Sequence, residues 1–364
     1  MRHLFLLVVP AISFFWACGD GVASTFTPPR AEADAGGAPQ DSGISEHGAM
    51  EDDAGGDVPD SGSIVADAGM PDAGEMGVDA GVAEPPWPDP GTMTAGARLY
   101  ASDGTSFSID QVDAALAHAL AGQPTRHVIF YVHGRACGGG GEPAKSLGEA
   151  VPQLEVDYSA RVVMFTWPGS SNGCPLGFPE QEARDSGAAL RHTIHKLAAK
   201  LGAQPVPGLT LTLVTHSLGN IVLEQALATA TTPWPPALFG TVMLNSSATA
   251  ASGHQTWLSR VGFSTNVYVS VNSGDSVLSA AGVGRSTRLG KSIDNVTLAA
   301  NAKYLDVSAA NVNHAYYLHG GMKGAGMRAF YDAVMRGQPW TPVAALLTRT
   351  ESRNGTVVYV LKGT

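Results

Sequence analysis

The chain has 364 residues, room for one large α/β domain with appended segments. Its formal charge of −10 is lopsided: residues 19–90 hold 16 of the 32 acidic side chains against one arginine, while residues 91–364 hold the other 16 against 20 lysines and arginines. The second part is thus close to neutral. It carries no lysine/arginine block and no basic stripe interleaved with aromatics, which excludes nucleic acid as a partner.

Residues 1–18 read as an export signal, with Arg2 at the positive end followed by an apolar run too short for a comfortable membrane span. The run closes on Ala17-Cys18, followed by Gly19. A small residue before a cysteine at that point resembles a bacterial lipobox, which implies cleavage, acylation of Cys18 and a lipid-anchored protein of the cell envelope. From 19 to about 92 the chain is rich in Asp, Ala, Gly and Pro, and Asp-Ala-Gly recurs at Asp34, Asp53, Asp67, Asp72 and Asp79. With few large apolar residues and strong self-repulsion, this stretch is expected to be a disordered tether. The aspartates have no spacing that converges on calcium.

Residues 93–364 are expected to form the folded domain. Asp110 to Leu120 reads as a helix with Ser108 as cap and Val112, Leu116 and Leu120 on one face. His127–Val132 is a buried strand ending in His133-Gly134-Arg135. Arg161–Trp167 is a second, closed by Pro168-Gly169-Ser170. Glu180 to Leu201 reads as one long amphipathic helix with Leu190, Ile194, Leu197 and Leu201 inward. Then come the strand Leu211–Val214 and a helix from Leu218, followed by apolar runs at Thr241–Asn245, Asn266–Val271 and Lys303–Val307. Strands alternating with helices predict an α/β fold: a mostly parallel central sheet flanked by helices on both faces, with its site beyond the carboxyl ends of the strands.

The stretch between strand and helix, Thr215-His216-Ser217-Leu218-Gly219, has the pattern of a nucleophile elbow. The turn projects the Ser217 hydroxyl, and Gly219 lets the helix pass close behind. The usual glycine two residues before the serine is here Thr215; a serine helix cap is the plainer reading of such a turn. A nucleophilic serine needs a base and an acid that orients it, and where the serine sits on such an elbow they follow in the order acid, then histidine. The strand Asn266–Asn272 ends in Ser273-Gly274-Asp275, and the next leads into His314; both lie in loops past strand ends. His319 is the alternative base. Asp294 and Asp306 are weaker acids, Asp306 because it falls inside a strand. His192 and His195 share a helix face but lack a third ligand, so packing rather than metal is expected of them. His216 is expected to pack. The oxyanion donors are expected to be the backbone N–H of Leu218 and that of Arg135, or of Gly134 in its place.

Six segments together resemble the α/β-hydrolase fold, and within it a bacterial family of unknown function: Tyr131-Val-His-Gly134, Phe165-Thr-Trp-Pro168, Thr215-His-Ser-Leu-Gly-Asn220, Asn272-Ser-Gly-Asp275 with Val277-Leu278, Arg288-Leu-Gly290 and His314-Ala-Tyr-Tyr317. The resemblance spans roughly residues 125–335. It implies Ser217, Asp275 and His314 as a catalytic triad and an esterase- or lipase-like hydrolysis of a small-molecule or lipid acyl substrate, without a cofactor. The tail after Pro339 falls outside it, and Thr356–Leu361 is expected to add an edge strand. Cys137 and Cys174 lie in the Gly-rich loops after two successive strands, and export favours a disulfide between them, adding about 3–4 kcal/mol by loop closure. No large lid fits between Asn245 and Asn266, so cover must come from 136–148 and 168–180, over an open site. The competing readings are a non-catalytic surface binding module on the same scaffold, and acyl transfer to an acceptor other than water.

Overall fold

The strand signals translate directly, because parallel strands covered on both faces must be apolar throughout. In the computed structural model β3 (His127–Val132) and β4 (Arg161–Thr166) are buried at every position but the first. The structure describes residues 96–135, 141–169, 178–230, 233–282, 285–353 and 355–363. The export signal with Cys18, the tether, Cys137 and Cys174 lie outside the described residues.

A hairpin of β1 (Arg98–Ala101) and β2 (Ser106–Ser108) opens the domain, and β1 runs antiparallel to β4. The central strands β5 (Thr210–His216), β6 (Thr241–Asn245), β7 (Val267–Val271) and β8 (Ala302–Asp306) follow β3 and β4 in parallel. At the far side β9 (Leu347–Arg353) and β10 (Thr356–Leu361) form a hairpin whose second strand joins β8 in parallel. Among the described residues the sheet therefore has ten strands in the order β2-β1-β4-β3-β5-β6-β7-β8-β10-β9.

Alternation along β3 sends Val128, Phe130 and Val132 to one face and Ile129 and Tyr131 to the other. On the first face they meet α1 (Val112–Leu120), α5 (Gly187–Ala203), α6 (Gly219–Ala228) and α7 (His254–Leu258). On the second they meet α3 (Ala150–Tyr158) and α9 (Gly324–Met335). Shorter helices α2 (Gly141–Gly148), α4 (Glu180–Asp185) and α8 (Ser276–Ala281) lie in the connections. No described helix is long and apolar enough to cross a membrane.

Three expectations are corrected. Ser108 ends β2 instead of capping α1; its N–H takes the Gln111 side chain at 3.0 Å and its carbonyl accepts the Gln111 N–H. The helix read across 180–201 is two, α4 and α5. Ser186 bends it by donating to the Glu182 carbonyl at 2.7 Å, and Gly187 sits so close to α6 that a β-carbon there would lie 2.8 Å from the Ala226 nitrogen. Thr356–Leu361 is not the edge: β9, polar at most positions, lies outside it and carries an Arg349–Glu351–Arg353 charge ladder that blunts the open rim.

Candidate active site

All six parallel strand ends from β4 to β8 point the same way, so the segments that follow them converge on one edge of the sheet. At the end of β5, Ser217 adopts φ +52°, a left-handed conformation that a serine holds only when its surroundings impose it. Here its N–H donates to the Asn245 carbonyl at 3.1 Å. Its own carbonyl accepts from Asn220 N, Asn220 Nδ2 and Ala248 N at 3.0–3.2 Å. The serine is thus fixed by backbone, not by its own side chain. A capping serine would accept from the helix through its oxygen, and α6 has no side-chain cap bond.

The chemistry of Thr215 explains its place where glycine is usual. It is fully buried, and its hydroxyl donates to Asn220 Oδ1 at 2.7 Å, orienting the amide that holds the Ser217 carbonyl. Behind the serine, a β-carbon on Gly219 would stand 2.5 Å from the His133 carbonyl oxygen and 2.6 Å from that of Val132. Only glycine lets α6 start this close to β3.

Asp275 sits where β7 passes into α8 and does two jobs. Oδ1 caps the helix by accepting from Leu278 N at 2.9 Å, and Oδ2 accepts from His314 Nδ1 at 2.7 Å. Burial of the carboxyl would raise its pKa, but the His314 hydrogen bond and charge, with the Leu278 N–H, outweigh it and hold the group below the usual carboxylate range. With Nδ1–H committed to Asp275, Nε2 is the His314 nitrogen that remains to exchange a proton. The carbonyl of His314 accepts from Ser246 Oγ at 2.8 Å and from His216 Nε2 at 3.3 Å. The next residues are tied below: the Tyr316 hydroxyl, pushed up to about 12 by burial, meets Ser270 Oγ, and the hydroxyls of Tyr317 and Tyr131 share a 2.8 Å bond.

Beyond β3, Gly134 lies against the elbow. A β-carbon on it would come 2.9 Å from Ser217 Cβ and 3.1 Å from the His216 carbonyl oxygen. The turn is braced by His133, whose Nδ1–H donates to the Gly134 carbonyl while Nε2 accepts from Trp167 N; its ring stacks on the Trp167 ring at 5.4 Å. The Arg135 guanidinium lies over Phe178, 4.7 Å from the ring centre.

The alternatives go elsewhere. His319 is held between Asp157 and Asp332 at 3.3 and 3.1 Å. Asp294 pairs with Ser292 and Arg353, and Asp306 ends β8 and accepts from Ser308 N. His192 bonds Asp110 and His195 stacks on Trp234. The sequence reading quoted Asn220 and Arg288 within its six segments without giving either a role, and did not name Ser246. Arg288 is buried, and its guanidinium joins Glu180 to the carbonyls of Ala248 and Ala281. For Ser246 too a sequence signal existed: Asn245-Ser-Ser247, three small polar residues at a strand end facing the elbow.

The family described as "Alpha/beta hydrolase of unknown function (DUF900)" matches residues 108–308, more than half of the chain. The protein belongs to this family. The matched part of this α/β hydrolase contains Ser217 and Asp275 and stops short of His314. Solved structures similar to it include an esterase/lipase from an uncultured bacterium at 13% identity and TM-score 0.33, covering 59% of this chain and 78% of the other. An esterase of Pyrobaculum calidifontis has 13% identity and TM-score 0.31, with 57% and 75% covered. A carboxylesterase of Mesorhizobium loti has 14% identity and TM-score 0.30, with 58% and 89% covered. No curated protein matches the chain.

Proposed function

We propose that this α/β hydrolase cleaves an ester or related acyl bond with Ser217 as nucleophile, His314 as base and Asp275 as the acid that orients it. The observation that carries the reading is the 2.7 Å bond from His314 Nδ1 to the buried Asp275 carboxylate, on the same sheet edge as a serine held at φ +52°. Ser217 Oγ attacks the acyl carbon while its proton passes to His314 Nε2. The resulting oxyanion takes the N–H of Leu218 and one from the Gly134-Arg135 turn. Collapse expels the alcohol, which leaves with the proton from His314. Water then attacks the acyl-enzyme, with His314 again taking the proton. Each oxyanion donor lowers the barrier by about 2.7–4 kcal/mol.

The test is labelling of the purified protein with a fluorophosphonate probe beside Ser217→Ala and His314→Ala. Labelling of wild type alone supports the triad. A folded wild type that stays unlabelled returns the chain to a non-catalytic binding module, and labelling that survives His314→Ala moves the base.

For residues outside the described structure, we propose export and acylation at Cys18, which would bring the domain to a small-molecule or lipid acyl substrate of the envelope at the end of its acidic tether. Metabolic incorporation of palmitate that is lost in Cys18→Ser checks this. We also propose a Cys137–Cys174 disulfide; mass spectrometry of peptides from unreduced protein should recover the two segments joined.

A further inference from the structure

The base loop is docked onto the two strands that flank the nucleophile. His216, the last residue of β5 and the neighbour of Ser217, packs its ring 4.8 Å from that of His314 and 4.9 Å from that of Tyr317. A carbonyl oxygen only accepts, so the 3.3 Å contact from His216 to the His314 carbonyl fixes the proton on His216 Nε2. Ser246, just past β6, brings a second donor to the same oxygen at 2.8 Å, and does so from φ +42°. That backbone is wedged: a β-carbon on the facing Gly290 would lie 2.5 Å from the Ser246 carbonyl carbon and 2.2 Å from Ser247 N. Both serines in the left-handed region near the site, 217 and 246, therefore serve the same assembly, one presenting the hydroxyl and the other holding the base.

Resting on the triad reading, we propose that His216 and Ser246 are positioning residues that set the His314 imidazole between Asp275 and Ser217 through its backbone carbonyl. Asp275 alone leaves His314 a pivot, since a single bond to Nδ1 permits the ring to swing about it. Two further bonds to the carbonyl fix the backbone from which the ring hangs, and the His216 ring packed beside it limits the swing. A base displaced by 1 Å loses on the order of a hundredfold in rate. Burial keeps the His216 ring neutral, with a pKa near 3, and the adjacent His314 pushes in the same direction. No second positive charge then competes when His314 takes up the serine proton.

The experiment is saturation kinetics of fluorophosphonate labelling on the full chain, with near-ultraviolet circular dichroism as the check on folding. His216→Phe keeps a ring against His314 and Tyr317 but removes the donor. His216→Gln restores an N–H at similar reach, and Ser246→Ala removes the second donor with little change of volume. His216→Phe and Ser246→Ala are each expected to lower the maximal labelling rate about tenfold with the half-saturating probe concentration unchanged, and His216→Gln to recover most of the loss. If His216→Phe does not fold, Ser246→Ala decides alone. Undiminished rates in Ser246→Ala, a Gln variant no faster than Phe, or a loss confined to half-saturation would overturn the proposal and leave the triad standing. An unlabelled, folded wild type would overturn both.

Discussion

Replacing Gly219 by alanine sets two physical effects against each other at the first residue of α6. Helix propensity favours alanine by about 1 kcal/mol. Close packing opposes it, because the added methyl would stand 2.5 and 2.6 Å from the His133 and Val132 carbonyl oxygens, well inside van der Waals contact. Neither oxygen can swing aside as a side chain does. Val132 is paired in the sheet with Phe165 and Thr215, and the His133 carbonyl accepts from Trp167 Nε1 at 3.0 Å. Relief needs a shift of nearly an ångström between α6 and β3, and overpacking of this kind costs about 1–3 kcal/mol, sometimes more. Two backbone contacts this short put the cost at the upper end, about 2–3 kcal/mol, so packing should win and leave Gly219→Ala about 1–2 kcal/mol less stable in urea titration. Labelling should also slow, because the same shift moves the Leu218 N–H. Gly202→Ala is the matched control: it lies in α5 with nothing within 4 Å of the new methyl, so propensity acts unopposed and stability should rise by up to about 1 kcal/mol. A Gly219→Ala protein as stable as wild type would refute the close-approach account of the elbow.

Asp275→Asn should cut fluorophosphonate labelling by about 10³–10⁴-fold with little change in melting temperature, since the amide oxygen still caps α8 at Leu278; Asp275→Ala should lose a further ~1 kcal/mol with the cap. Arg288→Met should destabilise by about 3 kcal/mol in urea, because it strips Glu180 of one partner and leaves the Ala248 and Ala281 carbonyls unmatched; Arg288→Lys should restore only part, one ammonium being unable to span all three. Acid should destabilise the fold well above the carboxylate range. Burial lowers His216 to about 3 and His127 to about 4, so between pH 6.5 and those values the unfolded chain binds protons that the folded chain refuses. Stability is full above pH 6.5 and falls as pH drops through this window, by on the order of 5 kcal/mol across the whole of it for His216 alone, about half of that by pH 4.5. Urea midpoints at pH 7, 5.5 and 4.5 measure it, and His216→Gln should flatten the slope.

The sequence discloses those parts whose residue types the chemistry or the burial dictates. A strand covered on both faces has to be apolar, which is why β3 to β8 stand out; β9, half exposed and written Leu-Thr-Arg-Thr-Glu-Ser-Arg, follows no such rule, and its pairing with β10 depends on contacts far along the chain. The same distinction runs through the site. Ser217 and Asp275 stand at junctions of strand and helix, where the end of one element and the start of the next fix a residue nearly to its place. His314 hangs in a loop well past Asp306, at the end of β8, where spacing alone does not choose between it and His319. Only partners decide: His319 is taken up by Asp157 and Asp332, while His314 reaches Asp275. Two of the bonds that hold the loop come from the side chains of Ser246 and His216, residue types that read as an ordinary turn and an ordinary packed ring. Support of this kind places no demand on composition beyond a donor at the right spot, so it is visible only once the strand ends are brought together.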